Sequence, residues 1–224
     1  GSGSGSDAVI NISFDTDGTN SGSYGSSGDM TITHDTIDTA NSKYGNGALY
    51  INSSASGYAQ SYIPTVFSSI PQDWCISFWM KSSEFTAANH AVCEMKTNGI
   101  QLYLGFNTAS RFFPFTLKND ETGQYIIFDL PDGLDAFDNE YHHYFFKFEG
   151  QTLTTYIDGK IPSYGGITSI TFERTLQGTT LTNFILGEIK TTNNPTTYYD
   201  DVRIFDKIVS IDEAKKEVII SSTE

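Results

Sequence analysis

An all-β fold, a sandwich or a barrel, is predicted by three observations. The first is composition: sixteen Phe and thirteen Tyr with abundant Thr, Ser and Ile, the residues that fit a pleated, half-buried surface rather than a helix. The second is about fourteen short strand-like runs at even spacing, separated by Gly, Asn, Asp and Pro. The third is the end of the chain, where strand, strand and one short capped helix follow in sequence. A length of 224 residues suits one β domain with a substantial core.

Each element has its own signal. Ala8–Phe14 (Ala-Val-Ile-Asn-Ile-Ser-Phe) opens the domain; Ser21–Asp29 is Gly- and Ser-rich and reads as a loop. Met30–His34 is a short strand. Gly47–Ile51 and Tyr58–Ile63 are expected to pair across Asn52–Gly57. Cys75–Lys81 and Ala91–Met95 are expected to form a hairpin about Glu84. Ile100–Phe106, Phe112–Leu117 and Gln124–Asp129 continue the pattern. His143–Phe148 and Leu153–Ile157 make the sharpest hairpin, turned at Glu149-Gly150-Gln151 and followed by Asp158-Gly159, where glycine supplies the positive φ that reversals need. Ser169–Phe172, Phe184–Gly187 and Asp201–Phe205 close the set. In Ser210-Ile211-Asp212-Glu213, the Ser210 hydroxyl accepts from the Glu213 amide and the Glu213 carboxylate reaches back, starting a helix over Ile211–Val218. No repeat period is visible, which disfavours propellers and solenoids.

Gly1–Ser6 is a strict Gly-Ser alternation and reads as a linker or tag remnant, leaving 7–224 as a single domain cut from a larger or processed protein. The net charge of −14 argues against polyanionic partners, nucleic acid and anionic membrane surfaces among them, because phosphate binding relies on Lys and Arg. No apolar run approaches a membrane span. Cys75 and Cys93 stand eighteen residues apart; a cross-strand disulfide and two buried thiols both fit that spacing.

Four stations occur in an order that resembles the laminin-G-like, concanavalin A-like jelly rolls, in particular the bacterial-type LamG domains. They are Gly45-Asn46-Gly47-Ala48-Leu49-Tyr50-Ile51; Trp74-Cys75-Ile76-Ser77-Phe78-Trp79-Met80-Lys81; His142-His143-Tyr144 followed by Leu153-Thr154-Thr155-Tyr156-Ile157-Asp158-Gly159-Lys160; and Tyr199–Phe205 with its Ser210–Glu213 cap. Tyr141 stands where the family usually has Trp. The resemblance implies a two-sheet antiparallel jelly-roll sandwich with one short C-terminal helix and with the first and last strands adjacent. It also implies a family of lectin-like, adhesion and ancillary domains, which fixes fold better than function.

Glycosidases on this sandwich need two carboxylates about 5 Å apart, and no Glu-x-Asp-x-(x)-Glu run is present. Glu94 stands alone in its strand. His142 and His143 are adjacent on a strand and point to opposite faces, one expected in the core and one at the surface. The chain is therefore read as a non-enzyme. Asp15 and Asp17 offer oxygen ligands on a turn after the first strand. If the terminal strands pair, Asp200 or Asp201 comes near that turn, and such a set suits Ca²⁺; the resemblance implies a calcium ion there. The alternative is Asx turns at Asp15 and Asp17 with Asp200 or Asp201 paired to Arg or Lys.

Sugars are held by aromatic faces and planar polar side chains. Tyr103, Asn107, Arg111, Phe112, Tyr141 and His143 are the candidate ligand-binding residues, with Arg111 the most ligand-like, while Trp79 is expected between the sheets. The resulting expectation is a lectin-like carbohydrate-binding and adhesion module of a larger extracellular, cell-surface or virion-surface protein. Its partners would be a glycan or surface polysaccharide and the other domains of that protein. The alternative is a structural or protein-binding spacer of an adhesin or phage tail appendage without sugar affinity.

Overall fold

The computed structural model describes residues 7–51, 61–84, 90–118, 124–187 and 196–215. Fifteen strands run in the order β1 (Ile10–Ile12), β2 (Thr31–Ile32), β3 (Thr36–Asp38), β4 (Ala48–Ile51), β5 (Ser61–Phe67), β6 (Asp73–Ser82), β7 (His90–Thr97), β8 (Ile100–Thr108), β9 (Arg111–Lys118), β10 (Gln124–Asp129), β11 (Tyr141–Glu149), β12 (Thr152–Ile157), β13 (Ile170–Thr171), β14 (Leu181–Leu186) and β15 (Thr197–Phe205), followed by helix α1 (Ile211–Lys215). They form two antiparallel sheets. The first has the order β13-β12-β11-β6-β15-β4-β3 with β1 added on β15, and the second β10-β9-β8-β7-β14-β5-β2. No helix among the described residues is long and apolar enough to cross a membrane.

Period-2 alternation decides which side chains meet. In β6, Trp74, Ile76, Phe78 and Met80 face the space between the sheets, with Tyr144, Phe146 and Phe148 of β11 beside them. Trp74 stacks on Phe148 with ring centroids 3.8 Å apart, and Phe78 lies 5.6 Å from Tyr144. Burying each such aromatic contributes about 1.5–3 kcal/mol by area. Tyr199 of β15 crosses the core and donates its hydroxyl hydrogen to the Val92 carbonyl of β7, so the burial of a polar atom also ties one sheet to the other. The alternate residues of β6 and β11, Cys75 and Phe145, join Ala8, Phe205, Val209 and Ala214 in a second cluster on the outer face, under α1.

The terminal strands are adjacent as expected, with Ile10 opposite Ile204 and Ile12 opposite Val202. The β11–β12 hairpin turns at Gly150 (φ 59°), and the capping box is formed, with the Glu213 amide 3.1 Å from the Ser210 hydroxyl. The helix is described to Lys215; the remainder of the expected Ile211–Val218 lies outside the described residues.

Two expected pairings are corrected. Strand β5 pairs with β14 and β2 of the second sheet, not with β4. Strands β6 and β7 form no hairpin: β6 lies between β11 and β15, and β7 between β8 and β14. Both run apolar on their core faces, so each completes a different sheet instead of pairing with its sequence neighbour. Cys75 and Cys93 are consequently in separate sheets and are free, buried thiols; burial raises the Cys75 thiol to about 11. Strand β3 had no sequence signal beyond three residues. It earns its place by pairing Thr36–Asp38 with Ala48–Tyr50.

Candidate functional site

The acidic residues near the chain ends meet around one loop. A bulge interrupts β15 between Asp200 and Arg203, and Asp201 takes a positive φ of 52° there. The extra residue lets Asp200 and Arg203 both point away from the core, while Tyr199, Val202 and Ile204 remain in it. Asp200 is buried, and its Oδ2 accepts the Lys43 and Tyr44 amides at 2.7 and 2.9 Å. Its Oδ1 is buried and has no hydrogen-bond partner among the described residues. Burial, opposed by those two amides, lifts its carboxyl to about 7. Asp15 Oδ1 accepts the Asn46 amide at 2.6 Å, so Asp15 and Asp200 grip the same loop, 42–47. Gly45 has a positive φ of 61°, which favours glycine, and a Cβ there would collide with the Asp15 carboxylate.

The other two acids are engaged differently. Asp17 is exposed and accepts the Thr19 amide in an Asx turn. Asp201 accepts two hydrogen bonds from Arg203 Nη2, at 3.0 and 2.9 Å. Among the described residues, no group of three or more His, Cys, Asp or Glu side chains is arranged to hold a metal ion. A cation at this place would rest on the carboxylates of Asp15 and Asp200, hard oxygen donors of the kind Ca²⁺ takes. Asp17 and Asp201 do not fit it.

The imidazoles are both buried, and neither is at the surface. His142 bridges Asp158 (2.6 Å) and Asp138 (2.8 Å). His143 is wholly buried, bonded through Nε2 to the Ser77 hydroxyl at 2.7 Å and packed on Trp79 at 5.0 Å. Burial, with the Lys215 charge close by, pushes its pKa down to about 3. A neutral, enclosed ring under α1 is unsuited to ligand contact, which corrects its candidacy. Trp79 is also corrected: it lies on the outer face of the first sheet beside Tyr44, 5.9 Å away, because β6 alternation gives the inner positions to Trp74, Phe78 and Met80.

Of the other ligand candidates, Tyr103 is mostly buried at 8 % exposure and stands opposite Glu94. Asn107 and Phe112 belong to β8 and β9, but their side chains lie outside the described ones. Tyr141 is half-buried and donates to the Asn41 carbonyl at 2.6 Å. Arg111 is exposed at the rim of a cleft of about 430 Å³ that it lines with Ile126, Ile127, Asp129 and Tyr164. Tyr164 is 60 % exposed, presented by a tight turn over Gly165 and Gly166, both at positive φ. The Asp129–Ser163 bridge clamps that loop to the edge strand β10. Arg111 is a candidate from the sequence; Tyr164, which lines the same cleft, is not among those candidates, although its Gly-Gly turn was an available signal.

Three of the acids, Glu94, Asp129 and Glu140, stand apart from one another. Glu94 is buried in β7 and accepts from Gln101 at 3.0 Å. Asp129 ends β10, three strand positions away, about 14 Å at the usual strand spacing. Glu140 is exposed, ahead of β11 in the other sheet.

A family model described as the concanavalin A-like lectin/glucanases superfamily matches residues 52–215. No curated protein sequence matches the chain. Among solved structures, the binding domain of botulinum neurotoxin serotype G is similar over 92% of this chain and 49% of that one, at 16% identity and a TM-score of 0.61. A structure of botulinum neurotoxin type C, whose cell entry is described as dependent on two ganglioside molecules, is similar over 91% of this chain and 49% of that one, at 16% identity and a TM-score of 0.65. This chain thus spans about half the length of those toxin chains. Domain 4 of AbnA, an extracellular arabinanase from Geobacillus stearothermophilus in complex with arabinotriose, is similar over 92% of this chain and 96% of that one, at 18% identity and a TM-score of 0.64.

Proposed function

The chain belongs to the concanavalin A-like lectin/glucanase superfamily, and from that premise we propose that it is a non-catalytic carbohydrate-binding module of a larger extracellular protein. The observation that carries this reading is the cleft at the edge of the second sheet. It combines an exposed aromatic side chain, Tyr164, with a planar guanidinium, Arg111, and a carboxylate, Asp129, and Ile126 and Ile127 complete its lining. That is the chemistry a sugar ring needs: a C–H face to stack and vicinal hydroxyls to satisfy. Its size falls in the range of small-ligand sites. Arg111 and Asp129 are 3.4 Å apart and more than half exposed, so their mutual attraction is worth little. Both are available to redirect hydrogen bonds to a ligand. The separation of Glu94, Asp129 and Glu140 supports binding rather than hydrolysis, and the likeness to sugar-binding and receptor-binding domains points the same way.

Glycan-array screening followed by calorimetry tests the reading. R111A and Y164A are each expected to weaken the best oligosaccharide by about tenfold, roughly 1.4 kcal/mol, while melting stays unchanged. Silence across broad panels would leave a structural or protein-binding spacer as the surviving reading.

Calcium at loop 42–47 belongs to the same proposal. Asp15 and Asp200 would hold the ion, which would supply positive charge beside the buried Asp200 Oδ1. Calcium at ten times its dissociation constant is expected to stabilise the fold by about 1.4 kcal/mol, a rise in Tm of roughly 3–5 °C for a domain of this size. EDTA should reverse it and D200N should abolish it. A melting temperature indifferent to both calcium and EDTA would remove the ion from the picture.

A further inference from the structure

The outer face of the first sheet carries a row of side chains that lie abreast across four strands. Tyr141 of β11 is opposite Lys81 of β6, Lys81 is opposite Tyr198 of β15, and Tyr198 is opposite Tyr50 of β4. Their inward-facing neighbours Met80, Tyr199 and Leu49 are in the core, so the row points out, and all four side chains are partly exposed. Tyr50 and Tyr198 rings are 5.3 Å apart. The Lys81 ammonium lies 5.4 Å from Tyr198 and 5.8 Å from Tyr141 and donates to Asn41 Oδ1 at 3.1 Å. From Tyr141 to Tyr50 the row spans three strand spacings, about 14 Å, each spacing close to the length of one sugar ring in a chain.

Charge singles out the same face. In a chain with 27 acidic and 13 basic side chains, Lys43 joins Lys81 here, its ammonium 4.4 Å from the Trp79 ring. Lys215 approaches that ring to 6.0 Å. The acids nearby are already committed. Asp38 accepts from the Ala40 and Asn41 amides and the Asn41 side chain, and Asp200 is buried beneath the loop that carries Lys43.

We propose that this tyrosine–lysine row is a second carbohydrate site, a flat platform on which about three residues of an extended, carboxylate-bearing polysaccharide lie across the strands. The ring faces take the sugar rings, and Lys81, with Lys43 at the flank, takes the carboxylates. The inference rests on the reading of the chain as a carbohydrate-binding module but uses a face remote in the fold from the Arg111 cleft, which stands at the edge of the other sheet.

The test compares polygalacturonate with neutral arabinan by affinity electrophoresis and by NMR titration of the intact chain. The variants are Y198T and K81M, in which the strand tolerates the new residue, and R111A/Y164A at the cleft. Polygalacturonate binding is expected to weaken at least tenfold in Y198T and in K81M, to fall with salt, and to shift Lys81 and Tyr198 resonances in the wild type. R111A/Y164A should leave it within about threefold. If the cleft variant alone abolishes polymer binding, the platform falls and the cleft reading stands. If no saccharide binds the wild type at all, both fall. Arabinan binding as tightly as polygalacturonate, with the same loss in Y198T, overturns the acidic class. A concentration-dependent dimer in the wild type that Y198T dissolves overturns the platform in favour of a protein interface.

Discussion

Replacing Arg203 by Ala is expected to destabilise the domain by about 3–5 kcal/mol, the cost of breaking a buried ion pair by removing one partner. At 2–4 °C per kcal/mol for this size, the melting temperature should drop by about 6–20 °C. The guanidinium is wholly buried and answers three acceptors at once. Nη2 donates to both Asp201 oxygens, Nη1 to the Ala214 carbonyl at 3.2 Å, and Nε to Asn11 Oδ1 at 3.4 Å. It therefore joins β15 to itself across the bulge, to β1, and to α1, which Ser77 also holds through the Ala214 carbonyl. Lysine cannot reproduce that fork, so R203K should recover only part of the loss. The paired replacement D201N/R203M, which removes both charges, is expected to lie closer to the wild type than R203A does. Urea unfolding of the wild type, R203A, R203K and D201N/R203M gives the comparison. R203A within 1 kcal/mol of the wild type would show that the pair organises nothing.

How much of this was legible in the sequence depends on the range of the interaction involved. Local signals survived. The Ser210–Glu213 cap, the Gly150 turn and the alternation of β6 all describe contacts within a few residues, and all are present. The adjacency of β1 and β15 was readable too, though only through the ordered motifs. The choice between ion ligand and ion-pair partner at Asp200 and Asp201 was not readable, because it turns on one inserted residue in β15. That bulge sends Asp201 to Arg203 and leaves Asp200 to the Lys43 and Tyr44 amides. The failed pairings, β4 with β5 and β6 with β7, share a cause: a core-facing alternation shows that a strand is half-buried, not which sheet it completes. Trp79 was misplaced because one strand's parity is ambiguous until its partners are known. The tyrosine–lysine row was invisible for the same reason. Tyr50, Lys81, Tyr141 and Tyr198 come from strands scattered along the chain, and only the register across four strands makes them neighbours.

The second large effect concerns pH. His142 is hydrogen bonded at both ring nitrogens to carboxylates, Asp158 at 2.6 Å and Asp138 at 2.8 Å. A neutral imidazole has only one N–H, so the geometry calls for the charged ring. Burial alone would lower its pKa, but the Asp158 and Asp138 bonds outweigh it and hold the value up at about 9, against an ordinary 6.5. Burial likewise opposes, and the His142 bond outweighs, the effect on Asp158 and Asp138, both of which are lowered. A group whose folded pKa exceeds its unfolded one stabilises fully below the unfolded value and loses that contribution as pH rises through the folded value. The imidazolium contribution should therefore be intact at pH 6 and decline progressively between about 6.5 and 9. From the shift it is on the order of 2–3 kcal/mol. The two aspartates run the other way, losing their part as pH falls below the usual carboxylate range. The best stability of this cluster thus lies near pH 5–6.5. Other groups titrate in the same interval, so the informative quantity is the difference between the wild type and H142Q, which keeps a donor but cannot carry charge. That difference should be largest at pH 6 and shrink by pH 9.5, measured by urea unfolding at each pH. A gap that stays constant across the range would mean that the ring is neutral in the fold and that its place between Asp138 and Asp158 is a matter of packing alone.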